Sequence, residues 1–228
     1  MDETDAPAAG TGRKLTQGKP AKMLTLFANF KGGTGKSTVV FNMAMWRLAQ
    51  GEEVTVCDLD PQRTLSDVAQ IRDEYQMQPA LRVVHKLPGR APRKGDWLID
   101  VGTSDMEALR GAVRMVDQVV VPVTPSQADI WATQHFLGIV AGERKKARKK
   151  IPAMKAFINR ADPHPRSREN AETMDALKML DGLTPLKARL VQRLAFRRSF
   201  SEGMAVFELE PSSKAAAELK TLAREIYA

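Results

Sequence analysis

The sequence predicts an α/β fold in which helices flank a doubly wound, mostly parallel β-sheet. Short apolar runs alternate along the chain with segments of helical periodicity. A glycine-rich turn at 29–38 joins the first run to the first helical segment. Acidic residues end two later runs, and the carboxyl ends of parallel strands meet at one edge of a sheet. These observations predict a ligand site at that edge.

The predicted elements follow in the order that such a sheet requires. The first strand, 24–28, is apolar on both faces, as a central parallel strand should be. The first helix, 36–50, has apolar residues at helical spacing and ends before Gly51. Further strands are predicted at 54–59, 81–87, 117–123, 153–158 and 186–191, with another ending at Asp100, and further helices at 64–75, 106–115, 128–150 and 166–180 and at the C-terminus.

Length and composition favour one folded domain. The chain has 228 residues, enough for a single α/β domain with a large core. Residues 1–22 are rich in Ala, Gly, Pro, Thr and charge and lack apolar periodicity, so we expect a flexible tail there and the folded domain at 23–228. The sequence has no secretory h-region and no membrane-length apolar run, and its one cysteine, Cys57, fits a reducing cytoplasm.

Residues 29–38 carry the features of a phosphate-binding loop. Glycines let the backbone N–H groups close around phosphates, and the helix that follows adds the positive end of its dipole. Lys36 supplies a point charge to the β- and γ-phosphates, and the Ser37 hydroxyl is suited to Mg²⁺. The usual pattern fails at Phe30, where a glycine is expected, and a second lysine, Lys31, follows it. The alternative, a glycine-rich turn with two solvated lysines, does not account for the strand, turn and helix falling together.

Two acidic strand ends provide metal-binding chemistry. The segment Asp58-Leu59-Asp60-Pro61-Gln62 follows one apolar run, and Asp100 ends another. Carboxylates at the carboxyl ends of parallel strands can face a bound Mg²⁺ and its waters. An apolar run that ends in an acid is the Walker B pattern, in which Asp100 holds the magnesium through water. The alternative for 58–62 is a strand end with two capping carboxylates.

The positive charge is concentrated in one part of the chain. Residues 141–200 contain 16 Lys and Arg against 6 Asp and Glu, and the rest of the chain sums to −2. Six of the seven residues at 144–150 are basic, and the candidates there for contact with DNA are Lys145, Lys146 and Lys149. A charge run is also typical of a solvated helix face, and that interpretation stays open.

The loop with two lysines resembles the deviant Walker A motif of the ParA/MinD family of P-loop ATPases. The resemblance extends from Met23 to the C-terminus and rests also on 58–62, Asp100 and 193–203. Within the family the chain is most similar to short ParA-type partition and positioning ATPases. It departs from the family pattern after Asp100, where Val101-Gly102-Thr103 stands in place of the common Cys-Pro-Pro.

The resemblance implies a role for each site residue. Lys31, Lys36 and Asp60 would be catalytic, with Asp60 positioning the attacking water. The ATP-binding residues would be Lys31, Gly32, Gly33, Thr34, Gly35, Lys36, Ser37, Thr38 and Asn159, the last one reading adenine. Ser37, Asp58 and Asp100 would form the environment of Mg²⁺. Arg193, Arg197 and Arg198 would hold DNA, together with Lys145, Lys146 and Lys149.

The same resemblance implies an ATP-driven switch. ATP and Mg²⁺ would join two subunits into a homodimer, with Lys31 of each reaching the other's phosphates. The dimer would bind non-specific double-stranded DNA, and a cargo-adaptor partner of the ParB type would stimulate hydrolysis and release it. We expect a protein of the bacterial or archaeal cytoplasm that associates with the nucleoid and not with a membrane. No motif in the sequence identifies the cargo. The candidates are a plasmid, a chromosome locus and a protein compartment such as a carboxysome.

Four other classes of protein share part of this pattern, and each is distinguished from it by a feature. A MinD-like membrane-positioning ATPase shares the loop but ends in a basic amphipathic helix, whereas this C-terminus has small residues, acids and no large aromatic face. Iron–sulfur carriers need paired cysteines. A metabolic ligase or kinase would need a substrate pocket. A DNA-binding module that is not an enzyme would not need three carboxylates at the loop.

Overall fold

The computed structural model describes residues 22–228, so the predicted tail lies outside the described residues except for its last position. The strands are β1 (Leu24–Phe27), β2 (Val54–Asp58), β3 (Val83–Val84), β4 (Asp96–Asp100), β5 (Gln118–Val123), β6 (Ala153–Ile158) and β7 (Thr184–Pro185). The helices are α1 (Lys36–Ala49), α2 (Thr64–Glu74), α3 (Met106–Val113), α4 (Gln127–Lys146), α5 (Arg168–Lys178), α6 (Leu194–Ser201), α7 (Val206–Leu209) and α8 (Lys214–Ile226).

The strands form one sheet in the order β3-β2-β4-β1-β5-β6-β7, and every pair is parallel. All four residues of the central strand β1 are buried because helices cover both faces of the sheet. The predicted doubly wound, mostly parallel α/β fold is confirmed. Strand β1 ends between the carboxyl ends of β4 and β5, and this position places the glycine-rich loop at the centre of the sheet's edge.

Two apolar cores hold the helices on the sheet. One core packs α1, α2, α7 and α8 on one face, and the other packs α3, α4 and α5 on the opposite face. Neighbouring residues of one strand serve different cores, as Phe27 and Leu26 do. Cys57 is fully buried in the second core, and this burial raises the pKa of its thiol to about 12. Within residues 22–228 no helix is both long and apolar enough to cross a membrane.

The predicted strand at 186–191 is wrong, because the last strand is only Thr184–Pro185. The amides of Lys187 and Ala188 donate to the carboxylate of Glu225 on α8, at 2.9 and 3.1 Å. The amide of Val191 likewise donates to Glu218. These amides are therefore satisfied by side chains instead of a strand ladder.

Two other predicted elements are shorter in the structure. The strand predicted at 81–87 consists of Val83–Val84, and residues 85–95 return to the start of β4 without a helix. Helix α4 ends at Lys146 instead of residue 150, and Arg148 beyond it has a φ of 52°. The last basic residues of the run at 144–150 therefore lie in the connection that follows α4.

Candidate phosphate-binding site

The loop after β1 is fastened to the sheet at its first residue. Asn29 is buried, and its Nδ2 donates to the carbonyl of Pro122 on β5 at 3.0 Å. Its Oδ1 accepts from the amide of Lys31 at 3.2 Å. One side chain thus sets the direction in which the loop leaves the sheet. Sequence reasoning did not assign a role to Asn29.

Phe30 anchors the other side of the loop. Its ring packs against His135 and Phe136 of α4, with ring centroids 5.3 and 5.5 Å apart. The residue that breaks the usual phosphate-loop pattern therefore joins the loop to a neighbouring helix. Lys31, directly after this anchor, is exposed. Its side chain is therefore accessible to solvent.

The backbone of the loop needs glycine at two points. Gly33 and Gly35 have φ values of 74° and 81°, in the left-handed region that favours glycine. A Cβ on Gly35 would also lie 2.8 Å from Nδ2 of Asn159. Helix α1 begins at the next residue, and no side chain caps its N-terminus. Its first amides are therefore available to an anion.

Asn159, at the end of β6, holds the loop from the opposite side. It is 6% exposed, and its Nδ2 donates to the carbonyl of Thr34 at 2.5 Å. This contact joins the loop to β6 across the end of β5. The amide nitrogen of Asn159 is thereby engaged by the loop, and its predicted role in reading adenine stays a prediction.

Ser37 and Asp100 meet at the start of α1. The Ser37 hydroxyl donates to Oδ2 of Asp100 at 2.5 Å, and Asp100 is fully buried. Its Oδ1 has no hydrogen-bond partner among the described residues. Burial raises the pKa of Asp100 to about 7, against the opposing effects of the Ser37 hydrogen bond and the charge of Lys36.

These oxygens fit a hard divalent cation. A buried carboxylate with one unpaired oxygen, beside a hydroxyl, is the donor set that Mg²⁺ prefers. Among residues 22–228 no cluster of three or more His, Cys, Asp or Glu side chains is placed to hold a metal ion. The remaining ligands would therefore come from phosphate oxygens and water, as is usual for Mg²⁺.

Asp58 and Asp60 lie beside Asp100. Asp58 pairs with Asp100 in the register of β2 and β4, and its Oδ1 accepts from the amide of Asp60 at 3.1 Å. Burial raises the pKa of Asp58. Asp60 is half-buried, and its Oδ1 accepts from the amide of Gln62 at 2.9 Å. The three predicted carboxylates are therefore brought together at one edge of the sheet.

Gly102 allows the segment after β4 to approach Asp60. A Cβ at this position would lie 3.2 Å from Oδ2 of Asp60 and 3.0 Å from Cδ of Pro61. Any larger residue would press on the carboxylate. The departure from the family pattern at 101–103 thus places the segment after β4 directly against Asp60.

A cavity of about 350 Å³ continues from the loop toward α6. It is lined by Gly35, Thr38, Val39, Asn159, Arg160, Leu190, Val191, Gln192, Arg193, Leu194, Phe196 and Arg197. Arg160 has a φ of 53°, which is uncommon for a residue other than glycine. Sequence reasoning did not predict that Arg160 lines this cavity, although its place directly after Asn159 was a usable signal.

The structure separates the predicted DNA-binding residues into two groups. Lys149 donates to the carbonyl of Arg114, which precedes β5, so the basic end of α4 lies at the amino edge of the sheet. Lys145 and Lys146 are exposed at the same edge, and Lys146 pairs with Glu143 at 3.1 Å. The arginines of 193–198 line or adjoin the cavity at the carboxyl edge.

The three arginines near α6 differ in their exposure and in the ion pairs that they form. Arg193 forms an ion pair with Glu218 at 2.6 Å, and this contact raises the pKa of its guanidinium. Arg198 is about half exposed and lies 3.5 Å from both Glu202 and Glu210. Arg197 is exposed and lines the cavity without an ion pair to any residue of 22–228. Arg197 is therefore the most available of the three.

Comparison with known proteins places this site in a family. The family described as CobQ/CobB/MinD/ParA nucleotide binding domain matches residues 25–206. The chain is 28% identical to Maintenance of carboxysome distribution protein A of Halothiobacillus neapolitanus, over 84% of this chain and 89% of that protein. It is 25% identical to Protein ParA of Rhizobium radiobacter, over 79% of this chain and 83% of that protein.

Solved structures share the fold at lower identity. A variant of McdA from Cyanothece in complex with ATP superimposes with a TM-score of 0.73 and 15% identity, over 92% of this chain and 96% of that chain. The septum site-determining protein MinD of Pyrococcus horikoshii, complexed with Mg-ADP, superimposes with a TM-score of 0.67 and 20% identity, over 90% of this chain and 96% of that chain.

Proposed function

Because the chain belongs to the CobQ/CobB/MinD/ParA nucleotide-binding family, we propose that it is an ATPase that positions or partitions a cargo. ATP and Mg²⁺ join two copies of the chain, and the dimer binds DNA without sequence preference. A partner on the cargo stimulates hydrolysis, and the dimer then releases the DNA. The observation that carries the proposal is that Ser37, Asp58 and Asp100 meet beside a loop whose helix N-terminus is uncapped.

The loop residues bind the nucleotide. Backbone amides at 32–38 surround the phosphates, and Lys36 compensates their charge. Ser37 and Asp100 would hold Mg²⁺, and the metal would supply positive charge to the phosphate oxygens. Asn159 keeps the loop in shape through its bond to Thr34, while the neighbouring cavity takes the nucleoside.

Asp60 and Lys31 act on the reaction itself. Only one carboxylate oxygen of Asp60 accepts from Gln62, and the other faces Gly102, where it can orient a water. Asp58 fixes the amide of Asp60 and so positions it. Lys31 is exposed beyond the Phe30 anchor, as a residue that reaches the phosphates of a second copy must be.

The DNA-binding surface coupled to ATP lies on α6. Arg197 lines the cavity next to the loop, so this residue belongs both to the nucleotide site and to the proposed DNA-binding surface. Arg198 extends the same surface, whereas Arg193 is held by Glu218. Two copies joined at their nucleotide sites would double the number of phosphate contacts. The affinity for DNA would then fall steeply as the salt concentration rises.

The cargo is proposed from the relatives. The relative from Halothiobacillus neapolitanus is named for carboxysome distribution, and that match spans 84% of this chain. The relative from Rhizobium radiobacter carries the name ParA. A protein compartment and a plasmid or chromosome locus are therefore the two cargo classes to test. A partner encoded beside the gene would decide between them.

The MinD-like alternative has less support. MinD structures share the fold, but a membrane-targeting helix must expose its apolar face. In α8 the residues Leu219, Leu222, Ala223 and Ile226 are fully buried in the core. This helix is therefore occupied in holding the domain together.

Retention on duplex DNA tests the proposal directly. The wild-type chain should stay on immobilised non-specific DNA with Mg-ATP and should elute with Mg-ADP or with EDTA. Light scattering should give a dimer under the first condition only. Retention that does not depend on the nucleotide, combined with no ATP turnover in the presence of DNA, would favour the DNA-binding module that is not an enzyme.

A further inference from the structure

A groove of about 670 Å³ lies between α5 and the edge strand β7, apart from the phosphate loop. Its floor is apolar and contains Ile158, Ala171, Met174 and Pro185. Its rim is basic and contains Arg166, Arg168, Lys178, Lys187 and Arg189, with Asp175 the one acid in the lining. These five cations belong to the basic segment 141–200, and neither the nucleotide nor the proposed DNA surface uses them.

Three of the rim cations have no partner within the described part of the chain. Arg168 pairs with Glu172 at 2.6 Å, and Lys178 pairs with Asp175 at 2.8 Å, each within α5. Arg166, Lys187 and Arg189 form no ion pair with any residue of 22–228. They come from opposite sides of the groove, one before α5 and two after β7. An anionic ligand in the groove would therefore meet positive charge on both walls.

The edge of the sheet is closed to an added strand here. Pro185 has no N–H, and the amides of Lys187 and Ala188 donate to Glu225. A peptide added at this edge would find no main-chain donor at Pro185, Lys187 or Ala188. Side chains are therefore the main means of recognition in the groove, with apolar groups on the floor and acidic groups at the rim.

We infer that this groove binds a peptide segment of a protein partner in which acidic residues flank apolar ones. The apolar side chains would bury against Met174 and Pro185, and the carboxylates would pair with Arg166, Lys187 and Arg189. Duplex DNA fits the groove less well, because phosphates gain nothing from an apolar floor and a duplex would meet only the rim.

The groove adjoins the nucleotide site through two chain segments. Ile158 on its floor precedes Asn159, whose amide holds Thr34 of the loop. Arg189 on its rim precedes Leu190, which lines the nucleotide cavity. A bound peptide would thus contact residues that directly precede Asn159 and Leu190, which both line the nucleotide cavity. An effect of the peptide on ATP turnover rests on the proposed function, whereas the binding itself does not.

Fluorescence anisotropy with a labelled synthetic peptide tests the inference on the full chain. The probe alternates Glu and Asp with Leu and Phe. Two comparison peptides replace either the apolar residues by Ser or the acids by Lys, and labelled duplex DNA is measured in parallel. The acidic–apolar probe should bind, both comparison peptides should bind much more weakly, and added salt should weaken the probe's binding.

Charge-reversal variants locate the binding. Arg166→Glu with Arg189→Glu should lower the affinity for the probe about tenfold, since two exposed ion pairs become repulsive. Lys220→Glu with Arg224→Glu makes the same charge change on the exposed face of α8 and should leave the affinity unchanged. Met174→Ala should also weaken the probe, because it removes part of the floor.

ATP binding separates this inference from the proposed function. The Arg166/Arg189 variant should bind a fluorescent ATP analogue as the wild type does, since neither residue lines the nucleotide cavity. The inference is overturned if the acidic–apolar probe fails to bind the wild type, or if the α8 control loses as much affinity. It is also overturned if the Arg166/Arg189 variant loses DNA binding but keeps the peptide, because the groove would then be a nucleic-acid surface.

Discussion

At the scale of single residues, the site depends on carboxylates that the fold removes from water. Asp100 is fully buried, and burial is the main cause of its raised pKa. In the protein without metal this charge is costly, so a cation at Ser37 and Asp100 would relieve it. The same residue would therefore lower the stability of the metal-free protein and favour the binding of the proposed Mg²⁺.

Asp100→Asn separates these two effects. A group whose folded pKa lies above its unfolded value stabilises the fold at low pH and loses that contribution as the pH rises through the folded pKa. Metal-free wild type should therefore lose stability between about pH 4 and pH 7, and part of this slope should vanish in Asp100→Asn. Thermal unfolding in EDTA measures the difference. Asp58 also has a raised pKa, and it should leave a residual slope in the variant.

The two loop lysines should give different defects. Lys36→Ala removes a nearly buried charge beside the phosphates and should weaken ATP binding about 30-fold or more. Lys31→Ala should leave ATP binding by the monomer intact and abolish dimer formation, since Lys31 is exposed and the proposed function assigns it to the phosphates of the second copy. Titration with a fluorescent ATP analogue and light scattering distinguish them. Normal ATP affinity in Lys36→Ala would contradict the loop assignment.

Asp60→Ala should separate binding from hydrolysis. The variant is expected to bind ATP and DNA, while turnover falls about 100-fold or more, because the group that orients the water is gone. Phosphate release in the presence of DNA measures turnover, and retention on DNA in ATP is the control for folding. Turnover at the wild-type rate would remove Asp60 from the mechanism.

At the scale of elements, the parallel sheet decides which basic residues act together. Helices α4 and α6 both carry basic clusters, but α4 ends at the amino edge and α6 starts at the nucleotide cavity. Sequence alone shows only that both clusters lie within 141–200. Of the two clusters, the one on α6 lines the cavity beside the phosphate loop, so the proposed function predicts that this cluster responds to ATP.

Charge reversal on the two helices tests this difference. Arg197→Glu with Arg198→Glu should weaken ATP-dependent DNA binding for every sequence. The slope of log affinity against log salt concentration should also become shallower, by an amount that corresponds to about two phosphate contacts. Lys145→Glu with Lys149→Glu is the matched change at the opposite edge and should have a smaller effect. A larger effect from the α4 pair would move the DNA surface to the amino edge. Light scattering should give an ATP dimer in both variants.

The elements that sequence reasoning found are those set by local pattern. Strand β1, the loop and α1 follow from apolar runs, glycines and helical spacing, and the structure has them within a residue or two. The strand predicted at 186–191 is interrupted because Glu218 and Glu225, on a helix that comes later in the chain, accept from the amides of Lys187, Ala188 and Val191. No local pattern carries that information. Phe30 stood out as an exception in the sequence, but its contact with His135 depends on tertiary packing.

At the scale of the whole molecule, the family and fold followed from the sequence. The separation of the basic residues of 141–200 into different surfaces did not. The net charge of +8 comes from a basic segment that the fold distributes to three places. These are the end of α4, the groove beside β7 and the surface of α6. A polyanion partner was predicted from the concentration of positive charge in residues 141–200. The separation into three places would leave room for more than one of the proposed partners.

Removal of the metal should act on the whole molecule. EDTA should convert the ATP dimer to a monomer and release it from DNA together, because both depend on the same nucleotide site. Sedimentation or light scattering and retention on DNA should change over the same range of Mg²⁺ concentration. Loss of DNA binding while the dimer persists would show that the two steps are not coupled.

The carboxylate of Glu225 has a consequence for solubility. An open sheet edge invites another sheet to pair with it and can lead to aggregation. At β7, Pro185 lacks a donor and Glu225 accepts from the amides of Lys187 and Ala188, so pairing of another strand at this edge is disfavoured. If the chain cycles between monomer and dimer as proposed, a blocked sheet edge would keep that association confined to the nucleotide surface. Glu225→Ala should therefore precipitate more readily on prolonged storage at high concentration.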